Sequence, residues 1–503
     1  MTGFDPFGRQ VFDRNAYRAV ESARTIAVVN PATEERIGEI AVCEESEVER
    51  VVEHAEAAGT DWAALDESTR ARQLHAVADS IETEAFEEIA ELMTREHGKP
   101  YPESTGELAN VASVFRYYAE MARDEAGRVA GSTAPTSVQF ERSFPYGVSV
   151  HITPSNYPIL IACWTVAASL AAGNAAIVKP SERTSLTTLR FMEHFRALPD
   201  GSVSCITGGA ETARALIRAE GTAVAAFTGS VEAGRAVNRE CAERMMPAVI
   251  EAGGNDPMIV TKHAPLDVAI PGAVTAAFHL SGQVCTSAER FYVHESVHDE
   301  FVEGVVEMAR SLRVGDGLAE SEIGPLVSES ARDRVSRLVD EAVEAGATVA
   351  CGGRIPPDAE TGWFYEPTVL TDVTPEMTIS SEETFGPVAP VKAVSGLAEA
   401  IELSNDSPFG LGATVFTTDL AEAMRAYRRL EAGLVWINDP MIDNEALPFG
   451  GWKCSGVGRE LGRQGLDAFR RTKTGVVDWE PTVREWWYPY PNEWFHGTAG
   501  SRF

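Results

Sequence analysis

A chain of 503 residues, 44% of them apolar, holds enough hydrophobic surface for about two or three domains with separate cores and leaves no large region to disorder. A formal net charge of −32 with only six lysines excludes the basic patch that nucleic-acid phosphates require. The acidity reads as a solvated surface, and the lysine depletion beside it resembles adaptation to high salt, where screening weakens self-repulsion.

The N-terminus, Met1-Thr2-Gly3-Phe4-Asp5, has no basic stretch followed by an apolar one, so no signal peptide is expected. Residues 45–97 carry helical periodicity, with Val48, Val51, Val52, Leu74, Val77 and Ile81 spaced among charged neighbours. Short apolar strands then alternate with helices. Val148–Ile152 reads as a strand, Ile159–Ala172 as a helix, Ala175–Val178 as a strand, Leu186–Arg196 as a helix and Ala223–Phe227 as a strand. The longest apolar stretch, Pro158–Gly173, is too short to span a membrane and is expected to be a buried helix. A second set follows: the strand Pro257–Val260, a helix over Val268–Leu280, the strand Arg290–Val293 and a helix over Phe301–Ser311. Such alternation predicts an α/β fold with parallel sheets covered by helices. The tail after Trp479 is aromatic and proline-rich, with Trp486-Trp487-Tyr488-Pro489-Tyr490-Pro491 and Trp494-Phe495. Seven cysteines, irregularly spaced and without a CxxC pair, point to a reducing, cytoplasmic compartment.

Three segments carry chemistry. Gly282-Gln283-Val284-Cys285-Thr286 offers a nucleophile, Val249-Ile250-Glu251-Ala252-Gly253-Gly254 a base, and Pro154-Ser155-Asn156-Tyr157-Pro158 an amide donor. Together they resemble the aldehyde dehydrogenase superfamily, and the resemblance runs from about Val28 to about Val477. It implies two Rossmann-type domains plus a small β oligomerisation arm: residues 1–134 with 147–253 for the dinucleotide, 254–472 for catalysis, and 135–146 with 473–503 for the arm and tail of a homodimer or homotetramer.

The resemblance also implies roles. Cys285 would attack an aldehyde to give a thiohemiacetal and, after hydride loss, a thioester; a neighbouring helix N-terminus is expected to favour its thiolate. Asn156 would hold the oxyanion with the Cys285 backbone N–H, and Glu251 would activate water against the thioester. Thr153, Lys179, Glu182, Gly229, Ser230, Gly234, Glu383 and Phe385 fall on cofactor-binding positions. A carboxylate at Glu182 would bind ribose hydroxyls and repel a 2′-phosphate, which favours NAD over NADP. Tyr157, Trp164, Val284, Thr286 and Phe449 are expected on the substrate path, with Ile161, His279 and Asp443 as further candidates. The sequence departs from the family at Ser155, where an aromatic residue is usual, and at Ala252, where leucine is usual.

Two alternatives fit the same sequence: a CoA-acylating semialdehyde dehydrogenase, against which Glu251 argues, and a non-catalytic NAD-binding relative, against which Cys285 and Glu251 together argue. The substrate is not fixed; parts of the sequence are similar to relatives acting on small hydroxyaldehydes, and the aromatic candidates suit a benzaldehyde-like molecule equally. His294-Glu295-Ser296-Val297-His298 spells HExxH, but a strand-to-helix junction would separate the two histidines, so no metal is expected.

Overall fold

The computed structural model describes residues 4–490 apart from 23, 125 and 485. Trp494 and Phe495 of the aromatic tail lie outside them. The chain falls into two compact units: one formed by residues up to 124 with 145–470, the other by 125–144 with the segment from 471 onward.

The larger unit holds two main sheets. In the first, of eight strands, four parallel strands form the centre: β1 (Val148–Ile152), β2 (Ala175–Lys179), β3 (Thr222–Gly229) and β4 (Ala248–Ala252), in the spatial order β4-β3-β1-β2. Every residue of β1 and β2 is buried, as expected of parallel strands covered on both faces. The second sheet has seven strands; β5 (Asp256–Val260) and β6 (Ala288–His294) are parallel neighbours at its centre. Both sheets follow the predicted strand–helix alternation.

Three helices matter for the site: α1 (Tyr101–Met121), α2 (Leu160–Ala172) and α3 (Val231–Glu243). Every residue of α2 from Leu160 to Ala171 is buried, so its apolar composition reflects a core helix. It ends at Gly173, whose φ of 100° supplies the left-handed cap. The helix expected over Leu186–Arg196 is α-helical only for Ser185–Phe191 and tightens to 3₁₀ over Met192–Ala197. Pro199 follows at once and disfavours the α conformation at Leu198, which is extended. Among the described residues no helix is long and apolar enough to cross a membrane.

The smaller unit is a three-stranded sheet of Val129–Ala130, Ser137–Pro145 and Arg470–Asp478. Thr136 Oγ1 donates to Asp478 Oδ1 at 2.9 Å across it. Its surface leaves Val129, Val476, Trp479, Val483 and Trp486 exposed.

Candidate active site

Two cavities meet at Cys285. The first, of about 550 Å³, lies along the carboxyl ends of β1–β4, where open parallel sheets bind ligands. Thr153 follows β1, Lys179 ends β2, Gly229 ends β3 and Glu251 lies near the end of β4. Glu182 and Ser230 complete that side, and Glu383 and Phe385 line the groove as well. The second cavity, of about 450 Å³, is lined by Tyr157, Trp164, Val284, Thr286 and Phe449, together with Ile161, His279 and Asp443. Cys285 is on the wall of both.

The groove suits a dinucleotide. Thr153 Oγ1 is buried without a hydrogen-bond partner, and the Lys179 amine has no hydrogen bond or ion pair among the described residues; both are open to ligand hydroxyls. α3 starts at the groove, with Ser230 capping it by accepting from Ala233 N at 3.3 Å. One expected residue is not on the wall: Gly234 faces the sheet, where a Cβ would lie 3.0 Å from Ile250 Cγ2, so it permits close packing of α3.

Cys285 is presented by a contorted turn. Leu280, Ser281 and Gly282 are consecutively left-handed, with φ of 50°, 56° and 74°. Only glycine fits the last position, since a Cβ there would meet Gly386 O at 2.1 Å. Gln283 anchors the turn: its Nε2 donates to Leu280 O at 3.1 Å and its Oε1 accepts from Val327 N at 2.9 Å. The backbone of Gly254 packs against that of Cys285, where a Cβ would stand 2.2 Å from the cysteine carbonyl. Asn156 Nδ2 donates to Gln283 O at 2.9 Å, which leaves the second amide hydrogen for a ligand oxygen.

No helix starts in the chain next to Cys285, while the N-terminus of α2 reaches the same cavity wall at Leu160. Cys285 lies between a 3₁₀ turn, His279–Gly282, and strand β6. Burial, then the carboxyls of Glu251, Asp256 and Asp443, push the thiol well above its ordinary value.

Glu251 is 2% exposed. Neither of its oxygens has a hydrogen bond of standard geometry among the described residues, although the Cys285 thiol lies close enough for a weak contact. Burial first, then the nearby Glu460, raise its carboxyl well above the ordinary range. Glu460 is itself pushed up to about 8 by burial, and Thr228 Oγ1 donates to it at 3.4 Å. The register explains the placement: Thr228 of β3 pairs with Glu251 of β4, and Glu251 with Gly456 on the strand before Glu460. Phe449 and Glu460 exchange backbone hydrogen bonds at 2.7 and 2.8 Å, joining the wall of the second cavity to the groove side.

Several supporting residues gave no sequence signal. Lys99 and Glu107 form a fully buried ion pair. Lys99 Nζ also donates to Asn156 O at 2.8 Å, and Glu107 Oε1 accepts from Ile159 N and Leu160 N at 2.8 and 3.0 Å, capping α2. Glu289 accepts from Thr384 N and Phe385 N, both at 2.7 Å, and so holds the loop bearing Glu383 and Phe385. Arg183 and Arg214 also line the groove. Charged types at these positions look like surface residues until the fold brings their partners in. In the second cavity the Trp164 and Phe449 rings pack with centroids 4.9 Å apart. His294 ends β6 and His298 opens the next helix; the former pairs with Ser296 and the latter with Asp299.

The profile of the aldehyde dehydrogenase family matches residues 17–475. A chloroplastic aminoaldehyde dehydrogenase of Arabidopsis thaliana is 39% identical over 500 residues, covering 96% of this chain and 99% of the relative. A betaine aldehyde dehydrogenase of Bacillus subtilis is 35% identical, covering 92% and 97%. The crystal structure of a Staphylococcus aureus betaine aldehyde dehydrogenase in complex with NAD+ superposes with a TM-score of 0.91 at 33% identity, covering 96% of each chain.

Proposed function

The chain belongs to the aldehyde dehydrogenase family, NAD-linked oxidoreductases acting on aldehydes, and on that premise we propose that it oxidises a cationic aldehyde to its carboxylic acid by hydrolysis of a Cys285 thioester. The observation that carries this reading is the place of Cys285 on both cavities, within reach of Glu251 and Asn156. Relatives named for aminoaldehydes and betaine aldehyde support a positively charged substrate, and so do Glu103, Asp443 and Glu445 on the second cavity.

Cys285 Sγ bonds to the aldehyde carbon as the thiol proton passes to Glu251. The Asn156 amide and the Cys285 backbone N–H hold the resulting oxyanion. NAD+, when bound, supplies the acceptor for the hydride that leaves the same carbon as the thioester forms. Thr153, Lys179, Glu182 and Ser230 would hold its adenosine and phosphate parts, and Glu383 the ribose nearer the reaction. Glu251 first releases the thiol proton to solvent and then takes a proton from the water that adds to the thioester; the tetrahedral intermediate collapses, the acid leaves and the proton on Glu251 returns to the Cys285 sulfur. A buried carboxyl with a raised pKa suits a base that must give and take one proton near neutral pH. Glu251 favours water over CoA as the acceptor.

The further parts of the reading are a NAD preference from Glu182, a division into cofactor and catalytic parts near Gly253-Gly254, and self-association through the exposed apolar sheet of the smaller unit. Seven free cysteines support a reducing, cytoplasmic setting, and the charge of −32 supports work at high salt. NADH formation from a panel of cationic, neutral and hydroxylated aldehydes, with and without CoA, tests the function. Turnover without CoA supports it; turnover only with CoA would replace hydrolysis by acyl transfer to the thiol.

A further inference from the structure

One buried carboxyl that the reaction does not use fastens the nucleophile's strand to the cofactor side of the groove. Glu289 is the second residue of β6, four residues after Cys285, and is 2% exposed. Its Oε1 accepts from Phe385 N and its Oε2 from Thr384 N, both at 2.7 Å. Oε2 accepts also from Asn255 Nδ2 at 3.0 Å. The same Asn255 amide donates to Glu382 O at 3.2 Å, so both of its hydrogens are committed to this joint. Glu383, between the two anchored ends of the loop, turns its Oε1 to Gly254 N at 2.9 Å.

The loop held in this way, residues 382–386, has no helix or strand of its own. Phe385 is left-handed, with φ of 50°. A residue with a side chain keeps that conformation only where its surroundings enforce it, and the Glu289 bond to Phe385 N is one such constraint. The loop also touches the elements that flank the thiol. A Cβ on Gly282 would lie 2.1 Å from Gly386 O, and a Cβ on Gly253 would lie 2.7 Å from Glu383 Oε1. Arg334 Nη2 adds a bond to Thr384 O at 3.1 Å. Glu383, Phe385 and Cys285 line one groove. Their relative placement is therefore set by a single strand: β6 follows the nucleophile and, through Glu289, carries the loop.

We infer that Glu289 is a positioning residue for hydride transfer: through Thr384 and Phe385 it keeps the residues proposed for the nicotinamide half of NAD+ in register with Cys285. This rests on the functional reading above. The adenosine half does not depend on the link, because Thr153, Lys179 and Gly229 stand at the ends of β1, β2 and β3. Transfer between two bound groups falls steeply with misplacement, so a loosened loop slows that step while the rest of the cofactor stays bound. Asn255, which shares the carboxyl, is a second positioning residue of the same joint.

The test pairs binding with kinetics of the full chain. In Glu289→Gln one acceptor becomes an N–H group that faces N–H groups, so at least one link to the loop is lost. Calorimetric titration should show NAD+ binding weakened by about tenfold and ADP binding changed by less than about twofold. In rapid mixing at saturating NAD+, the rate of first NADH formation should fall by about tenfold and be slowed further by deuterium at the aldehyde carbon. Asn255→Ala removes one of the three donors; it should show the same pattern at smaller size, and it replaces Glu289→Gln where that variant does not fold. In the wild type, the Thr384 and Phe385 amide hydrogens should exchange slowly with solvent before any cofactor is added. Equal losses of NAD+ and ADP affinity, an unchanged rate of first NADH formation, or free exchange of those two amides would overturn the inference. Absence of NADH from the wild type with every aldehyde would instead overturn the functional reading, and the binding and exchange measurements would still judge the link.

Discussion

Lys99 and Glu107 pair with each other at zero side-chain exposure, and each also holds one part of the Asn156 loop. Lys99 takes the Asn156 carbonyl and Glu107 takes the first N–H groups of α2. A buried pair is costly to break because the survivor keeps its charge in a poor solvent. Glu107→Gln should therefore destabilise the protein by about 3–5 kcal/mol in denaturant unfolding. Lys99→Met should also lower kcat more than it raises KM, because Asn156 would lose its fixed orientation. Unchanged stability in the first variant or an effect on KM alone in the second would remove the pair from the account.

Glu460 predicts two opposite pH effects. Its carboxyl is pushed from 4.5 to about 8 by burial. The folded state thus favours the neutral form, so this contribution to stability is complete below about pH 4.5 and is lost as pH rises through about 8. Glu460→Gln stays neutral throughout and should match the wild-type melting temperature at pH 5 but exceed it at pH 9. Removing the Glu460 charge also lowers the Glu251 pKa, so the rising limb of the kcat profile should move to lower pH. Calorimetry and a pH–rate series check the two effects separately.

Glu182 shares the cofactor groove with Arg183 and Arg214. The arginines are suited to a 2′-phosphate, and the carboxylate opposes one. Glu182→Gln should raise the ratio of kcat/KM for NADP to that for NAD by about tenfold or more. A ratio that stays fixed would mean that groove shape, not this charge, sets the preference.

The charge of −32 predicts salt dependence. Screening of self-repulsion should raise the melting temperature by about 5 °C or more between 0.1 and 2 M KCl. A flat or falling trend would refute the salt-adaptation reading.

The residues proposed for the reaction were legible because each lies in a short local pattern. Cys285 follows Gly-Gln, Glu251 precedes paired glycines, and Asn156 sits between prolines. The strand ends that carry Thr153, Lys179 and Gly229 were legible from hydrophobic runs alone. The supporting set was not. Lys99 reaches Asn156 across 57 residues, Glu103 reaches Leu280 across 177, and Tyr157 meets His279 across 122. No local spacing encodes such partners, and a lone Lys, Glu or His is most often solvated. The carboxyls around the thiol were hidden for the same reason: Glu251 and Asp256 lie on separate strands and Asp443 in a loop.

The proposed reaction turns on hydrolysis of a Cys285 thioester with the help of Glu251. The most direct test is rapid mixing of the Glu251→Gln enzyme with NAD+ and aldehyde at alkaline pH, followed by mass spectrometry of the quenched protein. In the Gln variant at alkaline pH the thiol proton passes to solvent hydroxide instead of to Glu251, so the first half-reaction should persist at a reduced rate. The account predicts a burst of about one NADH per active subunit, a stalled steady state, and an acyl group on the peptide containing Cys285. Full steady-state turnover without a burst, or an acyl group on any other residue, would contradict it.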